Sequence, residues 1–288
     1  MVIQEIASSV WEIKTTADKV LRSFIEDTAK ELDKMLTHMV GMEQSSGELI
    51  SWSAFQKLYY RMSYSYLKGS QPISPHIKKN SKLYEPFKNV WVNFTPWDDK
   101  NNPARYNLGR SSVESPFSGV GDININIYHR LWISDMFYFL ETSRDLISDY
   151  GRDRFIGAGI VGKESLISLV SDHKLNSVLA HEMQHAYDDY RSKGKAFYSK
   201  ATVKYFNNKK LGTSDYDSYL NLSHEIWARF TETALSMDPT ETDFRKWARS
   251  FQSNFLGWKL MNEKQKKRLI KELYKYFDWW QDLKKKAK

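Results

Sequence analysis

The 288-residue chain carries 43 Lys and Arg against 35 Asp and Glu, a net charge of +8, with 41% hydrophobic and 15% aromatic residues. That composition supplies a substantial core and excludes a natively disordered protein. The absence of cysteine excludes disulfides and thiolate metal ligands, so any zinc must be held by imidazole nitrogen and by carboxylate or water oxygen, the ligand set of catalytic sites.

The first residues lack the basic start and apolar run of a signal peptide, and no stretch reaches the length of a membrane span. The expectation is a cytoplasmic protein with no membrane contact. Residues 3–40 read as one long amphipathic helix. Ile3, Ile6, Val10, Ile13, Ala17, Val20 and Phe24 follow a heptad seam, and the stripe then shifts by one position to Ile25, Ala29, Leu32, Leu36 and Met39. A straight helix drifting against a seven-residue repeat produces that shift, which favours packing on its own chain. Self-association through this helix is the alternative.

A polar break at Gln44–Gly47 precedes a predicted aromatic-rich helix over 52–66, and residues 69–86, with Gly69, Pro72, Pro75 and Pro86, read as a linker or irregular loop. Strands are predicted at Asn89–Thr95 and at Asp122–Tyr128, the latter placing Ile123, Ile125 and Ile127 on one face. The segment 96–121 between them reads as a long loop. Gly151–Gly162 is glycine-punctuated, and Gly157–Gly162 matches a G-x-G-x-x-G spacing, but no convincing strand precedes it and it reads as a turn or helix entry. Helices follow at about 175–191 and 223–236, with Pro239 as a stop, and two amphipathic helices close the chain at about 241–255 and 262–285.

The expected fold is α+β and mainly helical: an N-terminal helical region at 1–85, a catalytic domain with a small sheet at 86–240, and basic C-terminal helices at 241–288. Lys264, Lys266, Lys267, Arg268, Lys271 and the terminal lysines concentrate positive charge in the last region. A solvated helix face is the simpler reading, and nucleic acid is a disfavoured partner because no recognised nucleic-acid module is present.

The chemistry lies in His181-Glu182-Met183-Gln184-His185. On a helix, positions i and i+4 share a face, so His181 and His185 can aim two imidazoles at one point, as tetrahedral zinc requires. Glu182 projects toward the same side. There a carboxylate can take a proton from a zinc-activated water and deliver it to a leaving amine, the mechanical content of H-E-x-x-H. Apart from Glu182, Val178–Tyr187 is uncharged, as a buried metal helix needs.

Val178–Tyr187 resembles the extended signature of the zincin superfamily of metallopeptidases, and His224-Glu225-Ile226-Trp227-Ala228-Arg229-Phe230 resembles the Glu-x-x-Ala-Arg helix of gluzincin-like peptidase domains in phage and mobile-element proteins. The resemblance implies a zincin-like domain, Zn²⁺ as cofactor, a polypeptide substrate and Glu225 as third ligand. It also raises a virion-associated location, or a structural protein that retains the scaffold, as alternatives. The metzincin continuation is absent, since Asp188 and Arg191 stand where that pattern has Gly and His.

The residues themselves leave the third ligand open among Glu225, His224 and Glu232. Asp188 or Asp189 can serve as the carboxylate partner of a ligating histidine, and Arg229 can hold Glu232 or orient Glu225. Tyr187, Tyr216, Tyr219 and His224 are candidates for steadying an oxyanion. The resemblance further suggests that the 123–127 strand is an edge receiving extended substrate, with an internal strand as the alternative.

Overall fold

The computed structural model describes residues 2–46, 69–97, 104–108, 120–128, 167, 175–193, 200–210, 216–238 and 240–286. The predicted helix at 52–66 and the glycine-punctuated segment 151–162 lie outside the described residues. The described residues are mainly helical with one small sheet.

Helix α1 runs from Val2 to Ser46. Its predicted stripe is buried at Val10, Ile13, Ala17, Val20, Phe24, Ile25 and Ala29. The one-position shift therefore falls where expected, with Phe24 and Ile25 adjacent and both buried. The stripe is covered by the chain itself. Phe24 stacks on Phe94 at 3.9 Å, and Trp11 meets Trp279 and Trp280 at 6.0 and 4.7 Å. This length of α1 is part of the core and does not project as an arm.

Strand β1 (Gly69–Pro72) corrects the linker expected at 69–86. It pairs antiparallel with β2 (Asn89–Trp97), and Gln71 Nε2 donates to the Val20 carbonyl of α1 at 2.8 Å. Proline is tolerated there because β1 is an edge strand. A 3₁₀ turn at Ser74–His76 and a single helical turn, α2 (Tyr84–Phe87), fill the rest of the connection. Along β2, Val90, Val92 and Phe94 are buried while Trp91 is 43% exposed, the alternation of a sheet with one wet face.

The expected loop at 96–121 contains a further strand, β3 (Ala104–Leu108), before β4 (Val120–Tyr128). The strand order is β1-β2-β4-β3. β4 pairs parallel with β2, Val92 opposite Ile123, and antiparallel with β3, Tyr106 opposite Ile123. The isoleucine strand is thus internal. Among the described residues the edges of the sheet are β1 and β3.

Helix α3 (Leu175–Ser192) packs against α1, against β3 and β4, and most extensively against α6 (Ser223–Leu235). Helices α4 (Lys200–Lys210) and α5 (Tyr216–Leu220) lie between them in sequence and were not predicted. α6 begins at Ser223, with Leu222 in the cap position and no side-chain cap bond.

Helices α7 (Phe244–Asn254) and α8 (Glu263–Lys286) close the chain. Asp243 caps α7 by accepting from Arg245 N at 2.8 Å. Asn262 and Gln265 form a reciprocal capping box for α8, both bonds at 2.9 Å. Between the helices Gly257 adopts φ 91°, where L residues are strained, and a Cβ there would meet Leu220 Cβ at 3.3 Å. Val10 of α1, Phe230 of α6, Phe251 of α7 and Leu273 of α8 belong to one apolar cluster. The three regions expected from the sequence therefore share a core. Among the described residues no helix is long and apolar enough to cross a membrane.

Candidate metal centre

The α3 periodicity puts His181 and His185 one turn apart, with ring centroids 4.8 Å apart and planes at 81°. Glu225 sits in the first turn of α6, where the helix dipole favours a carboxylate, and is only 3% exposed. Ala228 is fully buried beside it, small enough for the two helices to approach closely. The packing of α3 on α6 brings Glu225 Oε1 to 3.4 Å from His185 Nε2 and Oε2 to 3.7 Å from His181 Nε2. One ligand atom from each of the three residues lies within 4.8 Å of the others. Tetrahedral zinc with bonds of 2.0–2.1 Å sets its ligand atoms about 3.3 Å apart, a spacing that the two contacts of Glu225 with the histidines approach.

Glu232, two turns along α6 from Glu225, does not join the cluster. Its Oε2 lies 3.0 Å from His181 Nδ1. An ionised carboxylate only accepts, so Nδ1 carries a proton and it is Nε2 that faces Glu225. Burial opposes the Glu232 charge, but the His181 hydrogen bond and the nearby Arg229 guanidinium hold its pKa below the ordinary value. His181 Nε2 and Glu225 Oε2 face each other at 3.7 Å, close enough to share a cation. Glu225 Oε2 is moreover buried with no hydrogen-bond donor among the described residues, as a metal-facing oxygen would be. The donor set of two imidazoles and one carboxylate fits zinc.

Burial opposes the Glu225 charge, yet the hydrogen bond and positive charge of His185, with a bond from Tyr219, hold its pKa down to about 2. Burial works to lower His185, but the Glu225 carboxylate, helped by the charges of Glu182 and Asp188, keeps it above its usual value. The Tyr219 hydroxyl donates to Glu225 Oε1. Its own pKa is pushed well up by burial and by the Glu225 charge, so it remains a donor. Glu182 is buried, and its charge bears on both His185 and Tyr219.

His224 is buried behind Glu225, its Nε2 3.8 Å from Oε1, and outside the three-residue group. Burial, and the charges of His185 and His181, lower its pKa to about 4, so it is neutral at pH 7. Arg229 reaches Glu225 Oε2 at 4.0 Å, orienting the ligand as one of its two expected roles. Asp188 accepts from Gln184 Nε2 at 3.0 Å, and burial pushes its pKa up to about 6. The Asp189 carbonyl accepts from Ser192 Oγ at 3.2 Å. Of the three candidate tyrosines, Tyr187 lies under the Arg191 guanidinium and Tyr216 stacks on Tyr219 at 6.2 Å. Tyr219 alone of them hydrogen-bonds a residue of the cluster among the described residues.

Two further residues went unrecognised in the sequence. Thr231 Oγ1 donates to Gln184 Oε1 at 3.0 Å, a buried bond tying α6 to α3 beside the histidines. Gln184 passes the connection to Asp188. The only signal for them was position, Gln184 within the motif and Thr231 beside Glu232.

No described protein family, curated protein or solved structure matches the chain.

Proposed function

We propose that the chain is a zinc-dependent metallopeptidase. The observation that carries this reading is the convergence of His181 Nε2, His185 Nε2 and the buried Glu225 carboxylate on one point. His181, His185 and Glu225 hold the metal. Zinc in such a site supplies Lewis acidity and lowers the pKa of bound water toward neutrality. Glu182 then acts as general base, taking the water's proton and delivering it to the departing amine. Glu232 fixes the His181 tautomer, while Tyr219 and Arg229 hold Glu225 in place.

An extended polypeptide is the proposed substrate. Strand β3 replaces β4 as the strand to receive it, because β3 is an edge and packs on α3.

Glu182→Gln tests the reading. The variant should hold zinc at the wild-type stoichiometry and lose at least about 10²-fold in cleavage of a peptide library. Undiminished cleavage by the variant would contradict the assignment. Stoichiometric zinc in the wild type with no cleavage would instead favour an interaction protein built on the same scaffold.

A further inference from the structure

The net charge is not spread over the chain. Residues 241–288 hold fourteen Lys and Arg against six Asp and Glu, a net of +8, so the first 240 residues are neutral overall. The fold gathers part of this charge along a groove of about 700 Å³ between α7, the Trp258 turn and α8. Lys266, Lys267 and Lys271 line one wall, and Phe244, Trp258 and Tyr274 supply aromatic surface.

The lysines are not equivalent. Lys266 is neutralised by Glu263, which also borders the groove, at 3.0 Å. Lys267 and Lys271 are exposed, one helical turn apart, and neither has a carboxylate within ion-pairing distance among the described residues. Tyr274 continues the same face at i+7 from Lys267. It is 52% exposed although it is large and aromatic, and it is braced edge-on by Phe244 at 4.9 Å and 89°. The ring is thus ordered while about half of its surface stays open to solvent. The left-handed Gly257 turn precedes Trp258 and sets it at the groove.

Cations without partners beside an open aromatic platform form the recognition pattern of single-stranded nucleic acid, in which lysines follow the phosphates and bases stack on the rings. A duplex offers phosphates but keeps its bases stacked away from such rings. An anionic membrane offers no planar group to stack. We infer that the α7–α8 groove binds single-stranded nucleic acid through Lys267, Lys271 and Tyr274. The site lies apart from the metal centre and does not depend on the peptidase reading.

Fluorescence anisotropy of the full chain with a labelled oligothymidylate, a duplex of equal length, and phosphatidylserine vesicles as competitor tests this. The single strand should bind more tightly than the duplex, and vesicles should not displace it. Tyr274→Ala should weaken single-strand binding about ten-fold and leave duplex binding unchanged, whereas Tyr274→Phe should retain it. Lys267→Gln with Lys271→Gln should flatten the dependence of log affinity on log salt by about 1.4, from about 0.7 per phosphate contact on a single strand. Thermal melting of each variant checks that the fold persists, and both lysines are exposed enough for their replacement to leave it intact. No binding, equal binding of strand and duplex, displacement by vesicles, or an unchanged affinity in both Tyr274→Ala and the lysine variant overturns the inference.

Discussion

His181 Nδ1 lies 3.0 Å from Glu232 Oε2, a contact across two helices and 51 residues of sequence. It decides which nitrogen of His181 faces Glu225. Glu232→Gln keeps the volume but replaces an obligate acceptor with an amide that can present either end. The expected outcome is a fold indistinguishable by circular dichroism and a zinc affinity about 10- to 100-fold weaker. Competition with a chromophoric chelator measures it, and an unchanged affinity would remove Glu232 from the account.

Tyr219 is predicted to stabilise the metal-free protein through its bond to Glu225. Hydrogen bonds to charged groups contribute about 1.5–3 kcal/mol, so Tyr219→Phe should lower the stability of the chelator-treated protein by about 2 kcal/mol. Urea unfolding reads the change as a lower midpoint at constant slope.

The pH dependence of the metal-free centre follows from two opposed shifts. Glu225 is held down to about 2 from an ordinary 4.5, so its contribution is present above pH 4.5 and is lost as pH falls toward 2. His185 is held above its ordinary 6.5, so its contribution is complete below that value and is lost as pH rises through the folded pKa. Chelator-treated protein should therefore be most stable between these limits. Zinc must displace the His185 proton, so its affinity should rise with pH across the histidine range, with proton release detectable by calorimetry in buffers of different ionisation enthalpy.

The shared core of α1, α6, α7 and α8 predicts that the C-terminal helices do not unfold separately. Phe251 is fully buried in that cluster. Phe251→Ala should cost about 3–5 kcal/mol. Fluorescence from Trp11 in α1 and Trp279 in α8 should then report one coincident transition; two transitions would restore an independent C-terminal unit.

What could be read from the sequence was whatever depends on local periodicity. The i, i+4 spacing of His181 and His185, the stripe of α1 with its shift at Ile25, and the alternation of β2 and β4 are properties of single elements. Strand order is not. Ile123 to Ile127 alternate equally well at an edge or inside a sheet, and only the unpredicted β3 makes β4 internal. β3 itself is five residues in a segment punctuated by Pro96, Pro103 and Pro116, which read as a loop. Gly69–Pro72 likewise carries linker chemistry and is a strand only because β2 offers its edge. The same limit governs the site. Glu225 was recognisable as a ligand candidate, but the role of Glu232 as the carboxylate that orients His181 arises from the packing of α6 on α3, which no spacing encodes.

The most direct measurement is zinc K-edge absorption spectroscopy on protein loaded with one equivalent of zinc, wild type beside Glu225→Gln. The account predicts stoichiometric zinc in the wild type with two imidazoles and a carboxylate oxygen at about 2.0–2.2 Å, and a changed shell or lost metal in the variant. Zinc absent from the wild type, or an identical shell in both proteins, would contradict it.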